Sequence, residues 1–308
     1  YQPLNNNLEM IGNTNEGIPV FESFTPQNNY DLAINSVGDV YFVFSDQRNF
    51  IDSDIYLQKY SSFSNSFSEP LLIIDNFFID DNVKFIETTS DDGCLIAYDS
   101  GDFSGTRAYL QALDSNGNIL PAFSGGIRLS TNESDQFIKG LLKTDSGYFI
   151  LWKDQRSGSS DLYAQMVSFD GTILGPQDGF AITTAQNDQQ DPTLTYNEVS
   201  NEIMVCWEDF RDGDDFDIYC VTVNEETLVV SDEIELCTFS GNQKSPNVHA
   251  TLDGSYLFAW EDSRGSVTSN IYFQQMQNGN FIYLELLKRI MLLFQLKLLH
   301  LNLGQQLI

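Results

Sequence analysis

The chain has 308 residues and a formal net charge of −29, from 44 acidic and 15 basic residues. This charge argues against nucleic-acid binding and against binding to anionic membranes, because both need clusters of Lys and Arg. Its length is sufficient for one domain with a substantial core, and its four cysteines are too few for a disulfide scaffold.

The chain begins inside a repeating pattern. Tyr1 is in phase with Tyr56 and the tyrosines that follow it, and Tyr1-Gln2-Pro3-Leu4 resembles Tyr163-Ala164-Gln165-Met166. Residues 1–25 are therefore predicted to supply the last two strands of a repeat, ending in Ile18-Pro19-Val20-Phe21-Glu22. This start and the lack of an initiator Met indicate a fragment or a processed product.

A two-part motif recurs five times from residue 44 onward. An aromatic residue stands two positions before an Asp, an Arg follows two positions later, and a Tyr comes after a further gap. The aromatic residues are spaced 54, 54, 55 and 53 apart and the tyrosines 53, 54, 56 and 53 apart; the pairs are Phe44 and Tyr56, Tyr98 and Tyr109, Trp152 and Tyr163, Trp207 and Tyr219, and Trp260 and Tyr272. The second copy is decayed, since it reads Tyr98-Asp99-Ser100. Such a period indicates a repeat protein.

Each repeat contains four short runs rich in aromatic and β-branched residues, and tight-turn dipeptides such as Asp92-Gly93 and Asp253-Gly254 separate them. These features predict an all-β chain whose four-stranded antiparallel blades stack around an axis as a β-propeller. The motif aromatics are expected in equivalent packed positions between blades. A parallel solenoid is the rival, but it usually has shorter repeats without tight hairpins.

Strand counting allows five or six blades, and six is preferred because the two termini can share one blade. The propeller is predicted over residues 1–280. Residues 281–308 form a Leu-rich tail that drops the repeat pattern. The charges of Lys288, Arg289 and Lys297 fall within what would be the hydrocarbon core, so this tail is not predicted to span a membrane. It is interpreted as an amphipathic helix, degenerate strands or a misread coding end, and the first and third are favoured.

Cys206 and Cys220 flank one predicted hairpin, so their thiols could face each other across two strands. Two small buried apolar residues are the favoured interpretation and a disulfide is the alternative. Asn132-Glu133-Ser134 is a glycosylation sequon. The short, acidic, Asn-rich repeats predict an extracellular or cell-surface protein.

The repeated Asp and Arg side chains are the strongest candidates for ligand binding. They lie in the loops after the second strands, which gather on one face of a propeller, where they could bind a polar ligand such as a sugar. The favoured interpretation is internal, with each Arg pairing with an Asp of its own hairpin, because one site does not need a copy in nearly every blade. The candidates are Asp46, Arg48, Asp154, Arg156, Asp209, Arg211, Asp262 and Arg264.

An acidic turn between two of the predicted strands is a weaker candidate, for a metal. Clustered carboxylates are the ligands that Ca²⁺ prefers, although the spacing departs from an EF-hand loop and a solvated turn is the favoured interpretation. Its carboxylates are Asp212, Asp214, Asp215 and Asp217. No other cofactor is predicted.

Motifs for catalysis are missing from the sequence. The chain has two histidines, and it lacks a serine elbow, a metal-binding His/Cys cluster, a phosphate loop and a sialidase-type Asp box. No catalytic residue is therefore predicted. We expect a non-catalytic extracellular module for structure, adhesion or protein interaction. A carbohydrate-binding propeller is the alternative and a glycoside-active enzyme is the third choice, because paired carboxylates are not detectable from sequence spacing.

Asp253-Gly254, the Tyr256–Trp260 strand, Arg264 and Ile271-Tyr272 resemble the repeat of TolB-type propellers and of many secreted tandem-repeat propellers. The likeness covers about residues 1–280 and departs from the TolB pattern by lacking Ser-Pro before Asp-Gly. It implies a propeller with an interaction role and no catalytic residues. The incomplete end blades predict that the tail covers them in the same molecule, or packs on a neighbour to make a homo-oligomer or filament.

Overall fold

The computed structural model describes residues 19–76, 80–264 and 268–282. The described residues form 21 β-strands and one short 3₁₀ turn at Pro121–Phe123, arranged as five antiparallel sheets. Four sheets have four strands and the first has five, since β4 and β5 both pair with β3. The predicted all-β propeller of four-stranded antiparallel blades is confirmed.

Strands are numbered in chain order, and each blade follows the last along the chain. Blade 1 has β1 (Gln27–Ile34), β2 (Val40–Asp46), β3 (Asp54–Ser61), β4 (Ser66–Phe67) and β5 (Leu71–Ile74). Blade 2 has β6 (Asp80–Thr88), β7 (Cys94–Asp102), β8 (Gly105–Leu113) and β9 (Ile127–Arg128). Blade 3 has β10 (Gln136–Lys143), β11 (Gly147–Asp154), β12 (Asp161–Ser168) and β13 (Phe180–Thr183). Blade 4 has β14 (Gln189–Asn197), β15 (Glu202–Asp209), β16 (Asp217–Asn224) and β17 (Ile234–Cys237). Blade 5 has β18 (Gln243–Ala250), β19 (Tyr256–Asp262), β20 (Asn270–Gln277) and β21 (Asn280–Ile282).

The two halves of the repeated motif face each other across the second and third strands of every blade. Trp207 lies opposite Tyr219, for example, and their rings stack with centroids 6.4 Å apart. Offset stacking of aromatic rings is favourable beyond the area that they bury. The same register and stacking hold for Phe44 and Tyr56, Tyr98 and Tyr109, Trp152 and Tyr163, and Trp260 and Tyr272. The predicted equivalence of the motif aromatics is therefore correct.

The hydrophobic core lies between blades. Each of four apolar clusters combines side chains from two consecutive blades, as when Ile218 of blade 4 packs with Val248 of blade 5. The first strands of consecutive blades also contact one another, from β1 through β6, β10 and β14 to β18. The first strands are thus innermost, around the propeller axis.

The tight turns have the left-handed backbone conformations that their residue types predict. Asp92 and Gly254 adopt left-handed φ values of 62° and 80° in their hairpins, as the Asp-Gly dipeptides predict. The first strands also contain bulges that the sequence did not predict, and two of these place Asp191 and Ser245 at φ values of 44° and 51°. These bulges re-aim side chains near the axis.

Cys206 and Cys220 form a disulfide between β15 and β16, where the two residues lie directly opposite each other. The favoured interpretation of two free thiols is therefore wrong, because the register places both side chains on one face. The other two cysteines, Cys94 and Cys237, are buried as free thiols.

The predictions about the ends of the chain lie largely outside the described residues. These are the half blade in residues 1–18, the nature of the tail beyond Ile282, and self-association through that tail. Strand β21 runs across residue 280, the boundary predicted for the repeat region, and pairs with β20. Among the residues that the structure does describe, no helix has the length and apolarity to cross a bilayer.

Candidate functional site

The repeated Asp and Arg side chains bind each other within their own blades. In blade 4, Arg211 donates to both carboxylate oxygens of Asp209, at 3.0 and 2.7 Å, and the Trp207 indole donates to the same carboxylate at 2.8 Å. Both carboxylate oxygens thus accept hydrogen bonds from their own blade. The same ion pair joins Arg48 to Asp46, Arg156 to Asp154 and Arg264 to Asp262.

Burial and hydrogen bonding have opposite effects on the pKa of these carboxylates. The Asp154 side chain is fully buried, which on its own would raise the pKa. Hydrogen bonds from Arg156, Trp152 and Ser134 more than offset that cost, so the pKa of Asp154 is lowered. Arg156 also lies on the Tyr163 ring, with its guanidinium carbon 3.8 Å from the ring centroid. The geometry matches the internal role that the sequence favoured, and ligand binding by these eight residues stays a prediction.

The acidic turn of blade 4 does not gather its carboxylates around one point. Asp215 accepts a hydrogen bond from the Gly241 amide at 2.6 Å, and Asp217 is buried at the start of β16. Burial, with the nearby charges of Asp215 and Asp212, raises the pKa of Asp217 to about 6. Across residues 19–76, 80–264 and 268–282 the structure contains no group of three or more His, Cys, Asp or Glu side chains arranged to hold a metal ion. Calcium binding at Asp212, Asp214, Asp215 and Asp217 stays a prediction.

The structure has cavities at its terminal blades and also a cavity between two complete blades. Cavities of 620 and 660 Å³ lie at blade 5, and one of 340 Å³ lies at blade 1. A smaller cavity of 200 Å³ lies between the complete blades 2 and 3, on strands near the axis. We call it the Lys84–Asp99 cavity; its lining is Lys84, Asp99, Phe137, Ile138, Lys139 and Lys153.

Asp99 is the central group of the Lys84–Asp99 cavity. Its residue is 3% exposed, and its Oδ1 accepts a hydrogen bond from the Ile138 amide at 2.9 Å. Its Oδ2 lies 3.4 Å from the Lys84 ammonium and has no closer polar partner among the described residues. Burial raises the pKa of Asp99 to about 6, against the opposing effects of the Ile138 amide and Lys84. The carboxyl can therefore hold or release a proton near that pH.

A second carboxylate lies beyond Lys139, the residue after Ile138. The Asp191 side chain is 60% exposed and its Oδ1 is 3.6 Å from the Lys139 ammonium. Lys153 lines another side of the cavity, and its ammonium lies 5.4 Å from the centroid of the Phe137 ring. The cavity thus combines a buried carboxyl of raised pKa with three lysine side chains, and the open carboxylate of Asp191 lies next to one of them, Lys139.

Sequence reasoning did not find this cavity. Asp99 follows the motif aromatic of the decayed copy, where the other repeats have Ser45, Lys153, Glu208 and Glu261. A carboxyl at this position gave no usable signal, because two of the other repeats have one there as well, at Glu208 and Glu261. There was no signal in the sequence for Asp191 either, because the approach of this residue to Lys139 depends on how two blades pack.

Comparison with known proteins finds likeness at the level of the fold. No protein-family model matches the chain, and no curated protein matches its sequence. Among solved structures, the Hadza microbial sialidase Hz136 aligns at a TM-score of 0.51 and 10% identity, over 83% of this chain and 57% of the sialidase. An α-L-arabinanase from Penicillium chrysogenum complexed with arabinobiose aligns at 0.51 and 13% identity, over 77% of this chain and 79% of that one.

A protein of unknown function from Dyadobacter fermentans aligns at a TM-score of 0.51 and 11% identity, over 84% of this chain and 82% of that one. At such identities a match establishes the fold alone. The chain spans little more than half the length of the sialidase.

These neighbours correct two expectations from the sequence. The predictions of a non-catalytic structural, adhesion or interaction module, and of a chain that is not an enzyme, are contradicted because the fold is shared with a sialidase and an arabinanase. The lack of linear catalytic motifs is no evidence against enzymatic activity, since paired carboxyl groups on separate blades leave no linear motif. The TolB resemblance is confirmed only as a β-propeller: the chain is an all-β propeller of the type that these glycoside-acting enzymes share.

Proposed function

We propose that this chain is a glycoside-cleaving enzyme whose active site is the Lys84–Asp99 cavity. The observation that carries the proposal is the buried Asp99 carboxyl, whose pKa is raised to about 6, in a cavity on axis-facing strands. The fold shared with a sialidase and an arabinanase supports the same class of reaction.

Glycoside hydrolysis usually needs two carboxyl groups with different protonation states. Asp99 has the environment of the general acid, since a raised pKa keeps a proton available for the leaving oxygen. Asp191 is assigned as the second carboxylate because it lies on the far side of Lys139 and is open to solvent and substrate. Phe137 offers an apolar surface for a sugar ring within the same cavity.

Three features support an extracellular site of action. The Cys206–Cys220 disulfide suits an oxidising compartment. Asn132 carries a sequon, and the net charge of −29 suits a secreted, highly soluble protein.

The test is hydrolysis of a panel of aryl glycosides that includes α-L-arabinofuranosides and sialosides, together with arabino-oligosaccharides. We expect turnover of at least one substrate, and a loss of about 10²-fold or more in kcat for Asp99→Asn, the size typical of removing a general acid. Activity of the unaltered chain should fall as pH rises above about 6, because Asp99 then loses its proton.

Asp217→Asn is the matched control. Asp217 is also a buried carboxyl with its pKa raised to about 6, but it lies in blade 4 and does not line the cavity. Its variant should keep full activity. Equal losses in both variants, or sugar binding without turnover by the unaltered chain, would contradict the proposal.

A further inference from the structure

The Lys84–Asp99 cavity has an excess of positive charge in a strongly acidic chain. Its lining includes three lysines and one carboxyl group, although the whole chain has 44 acidic and only 15 basic residues. At the 620 Å³ cavity of blade 5, by contrast, one acid, Glu235, balances one base, Arg264. A cavity lined by charges of one sign focuses the field and concentrates ligands of the opposite sign. The Lys84–Asp99 cavity is therefore suited to an anionic ligand.

Lys84 and Lys139 are only partly neutralised by the carboxyls beside them. The Lys84 ammonium lies 3.4 Å from Asp99 and the Lys139 ammonium lies 3.6 Å from Asp191, and the two lysine side chains are 31% and 32% exposed. Both distances exceed the roughly 2.7–2.9 Å of a strong charge-assisted hydrogen bond. Because an ammonium has three donors, each lysine keeps donors for a further acceptor.

Lys153 is the third lysine, and it forms no ion pair with any residue that the structure describes. Its ammonium lies 5.4 Å from the centroid of the Phe137 ring, and this contact holds the side chain at the cavity without neutralising its charge. The three ammonium groups are matched by two carboxyls, Asp99 within the cavity and Asp191 beside Lys139. One positive charge is therefore left over when both carboxyls are ionised.

The position that Lys153 holds has a packing role in three other blades. It directly follows the motif aromatic, and its side chain there accepts a hydrogen bond from a backbone amide in the first strand of the next blade. The pairs are Val83 with Ser45 at 3.1 Å, Ile138 with Asp99 at 2.9 Å, and Ser245 with Glu208 at 2.8 Å. A lysine ammonium has no acceptor and cannot form this bond. Packing between blades thus does not account for the lysine at this position.

We propose that the Lys84–Asp99 cavity takes a glycoside whose sugar carries a carboxylate, and that the Lys153 ammonium binds this carboxylate and determines the specificity. This proposal rests on the proposed function for the position of the site and adds the class of substrate. The single positive charge left over matches a singly charged carboxylate. A doubly charged phosphate would fit less well, and the lining contains no arginine, the residue suited to bidentate phosphate binding. The Phe137 ring beside Lys153 gives the same ligand an apolar surface for its sugar ring.

The test is the binding of matched sugar pairs to the full chain, measured by isothermal titration calorimetry. Each pair compares a sugar that carries a carboxylate with its neutral counterpart: methyl glucuronide with methyl glucoside, methyl galacturonide with methyl galactoside, and a methyl sialoside with its methyl ester. At least one acidic sugar should bind about tenfold more tightly than its counterpart, as one charge-assisted hydrogen bond allows. The pair that responds distinguishes a uronate from a sialate.

Lys153→Gln should lower the affinity for that acidic sugar by about tenfold, because glutamine keeps a hydrogen-bond donor but loses the charge. Lys153→Glu should abolish its binding, and two other repeats carry a glutamate at this position, Glu208 and Glu261. Lys244→Gln is the matched control. The Lys244 ammonium also lies on a phenylalanine ring, 4.1 Å from the centroid of Phe216, but it is in blade 5 and does not line the cavity. Its variant should keep the full preference.

Equal or undetectable affinities within every pair would overturn the proposal. So would equal losses in Lys153→Gln and Lys244→Gln, or inorganic phosphate that binds more tightly than every acidic sugar. Failure of the proposed function gives a different result. If the chain hydrolyses no glycoside but binds an acidic sugar through Lys153, the proposed function fails and the role of Lys153 stands. If it hydrolyses neutral glycosides and shows no preference for acidic sugars, the proposed function stands and the role of Lys153 is wrong.

Discussion

Arg211 lies flat on the ring of Tyr219, with its guanidinium carbon 3.7 Å from the ring centroid, while its nitrogens bind Asp209. Asp209 ends β15 and Tyr219 lies in β16. The arginine therefore ties two strands of one blade without any ligand. Equivalent stacks join Arg48 to Tyr56, Arg156 to Tyr163 and Arg264 to Tyr272.

Replacing Arg211 by lysine should lower the free energy of unfolding by about 1–3 kcal/mol. Lysine keeps the charge but cannot reproduce the planar fork or the stacking on Tyr219. Urea unfolding measures the change. Arg128→Lys is the control, since Arg128 pairs with a Glu133 that is 73% exposed, and such pairs contribute little. An equal loss in both variants would show that the fork and the stack add nothing.

Trp207 should contribute both volume and a hydrogen bond. It is 0% exposed and its indole donates to Asp209 at 2.8 Å. Trp207→Ala should cost about 3–5 kcal/mol through the cavity that it leaves. Trp207→Phe keeps most of the ring but leaves the carboxylate one donor short, so about 1–3 kcal/mol is expected. Thermal unfolding separates the two, and a phenylalanine variant as unstable as the alanine variant would assign the loss to the indole hydrogen bond.

Gly179 is predicted to be intolerant of any side chain. Its φ is 74°, and a Cβ there would lie 2.3 Å from the Trp152 ring and 2.8 Å from the Ala164 carbonyl oxygen. Gly179→Ala should destabilise the protein by about 2 kcal/mol or more, because both the backbone and the packing oppose it. Gly158→Ala isolates the backbone effect, since φ is 95° there and nothing lies within 4 Å of the added atom. Its cost should be about 1 kcal/mol. Similar melting temperatures for the two variants would contradict the packing argument.

Stability should be greatest at about pH 4–5. Burial raises the pKa of Asp54, Asp81, Asp99 and Asp217 to about 6, above the value of about 3.9 for an unfolded aspartate. Between these values the folded chain binds more protons than the unfolded chain, so stability falls as pH rises through this window, by on the order of a few kcal/mol in total.

The motif carboxylates act in the opposite direction. The pKa values of Asp46 and Asp154 are lowered, so their contribution is present above about pH 4 and is lost as pH falls below it. Melting temperatures from pH 3 to 8 test the combined profile. Asp217→Asn should flatten the decline between pH 4 and 6, and a maximum near pH 7 or above would contradict the assignment.

The sequence was informative where its signals are local. Each Trp and its partner Tyr are close in sequence and belong to one hairpin, so the repeat period predicted both the strands and their register. The disulfide shows the limit of such reasoning. The cysteine pair was found, but whether Cys206 and Cys220 bond depends on a strand register accurate to a single position.

The candidate site was beyond sequence reasoning because it forms between blades. Asp99 comes from β7 of blade 2, Lys139 from β10 of blade 3 and Asp191 from β14 of blade 4. Their approach depends on the angle between stacked sheets, which no linear spacing encodes. The repeated Asp and Arg residues, which the sequence pattern singled out, instead bind each other within their own blades.

Each Asp–Arg–Tyr cluster lies within a single hairpin, and this affects the order in which the protein folds. The residues from Asp209 to Tyr219 are close in sequence, so one blade can form its strongest polar contacts before any neighbour is present. Local contacts close short loops, and short loops form quickly. Folding should therefore begin in individual hairpins and spread from blade to blade.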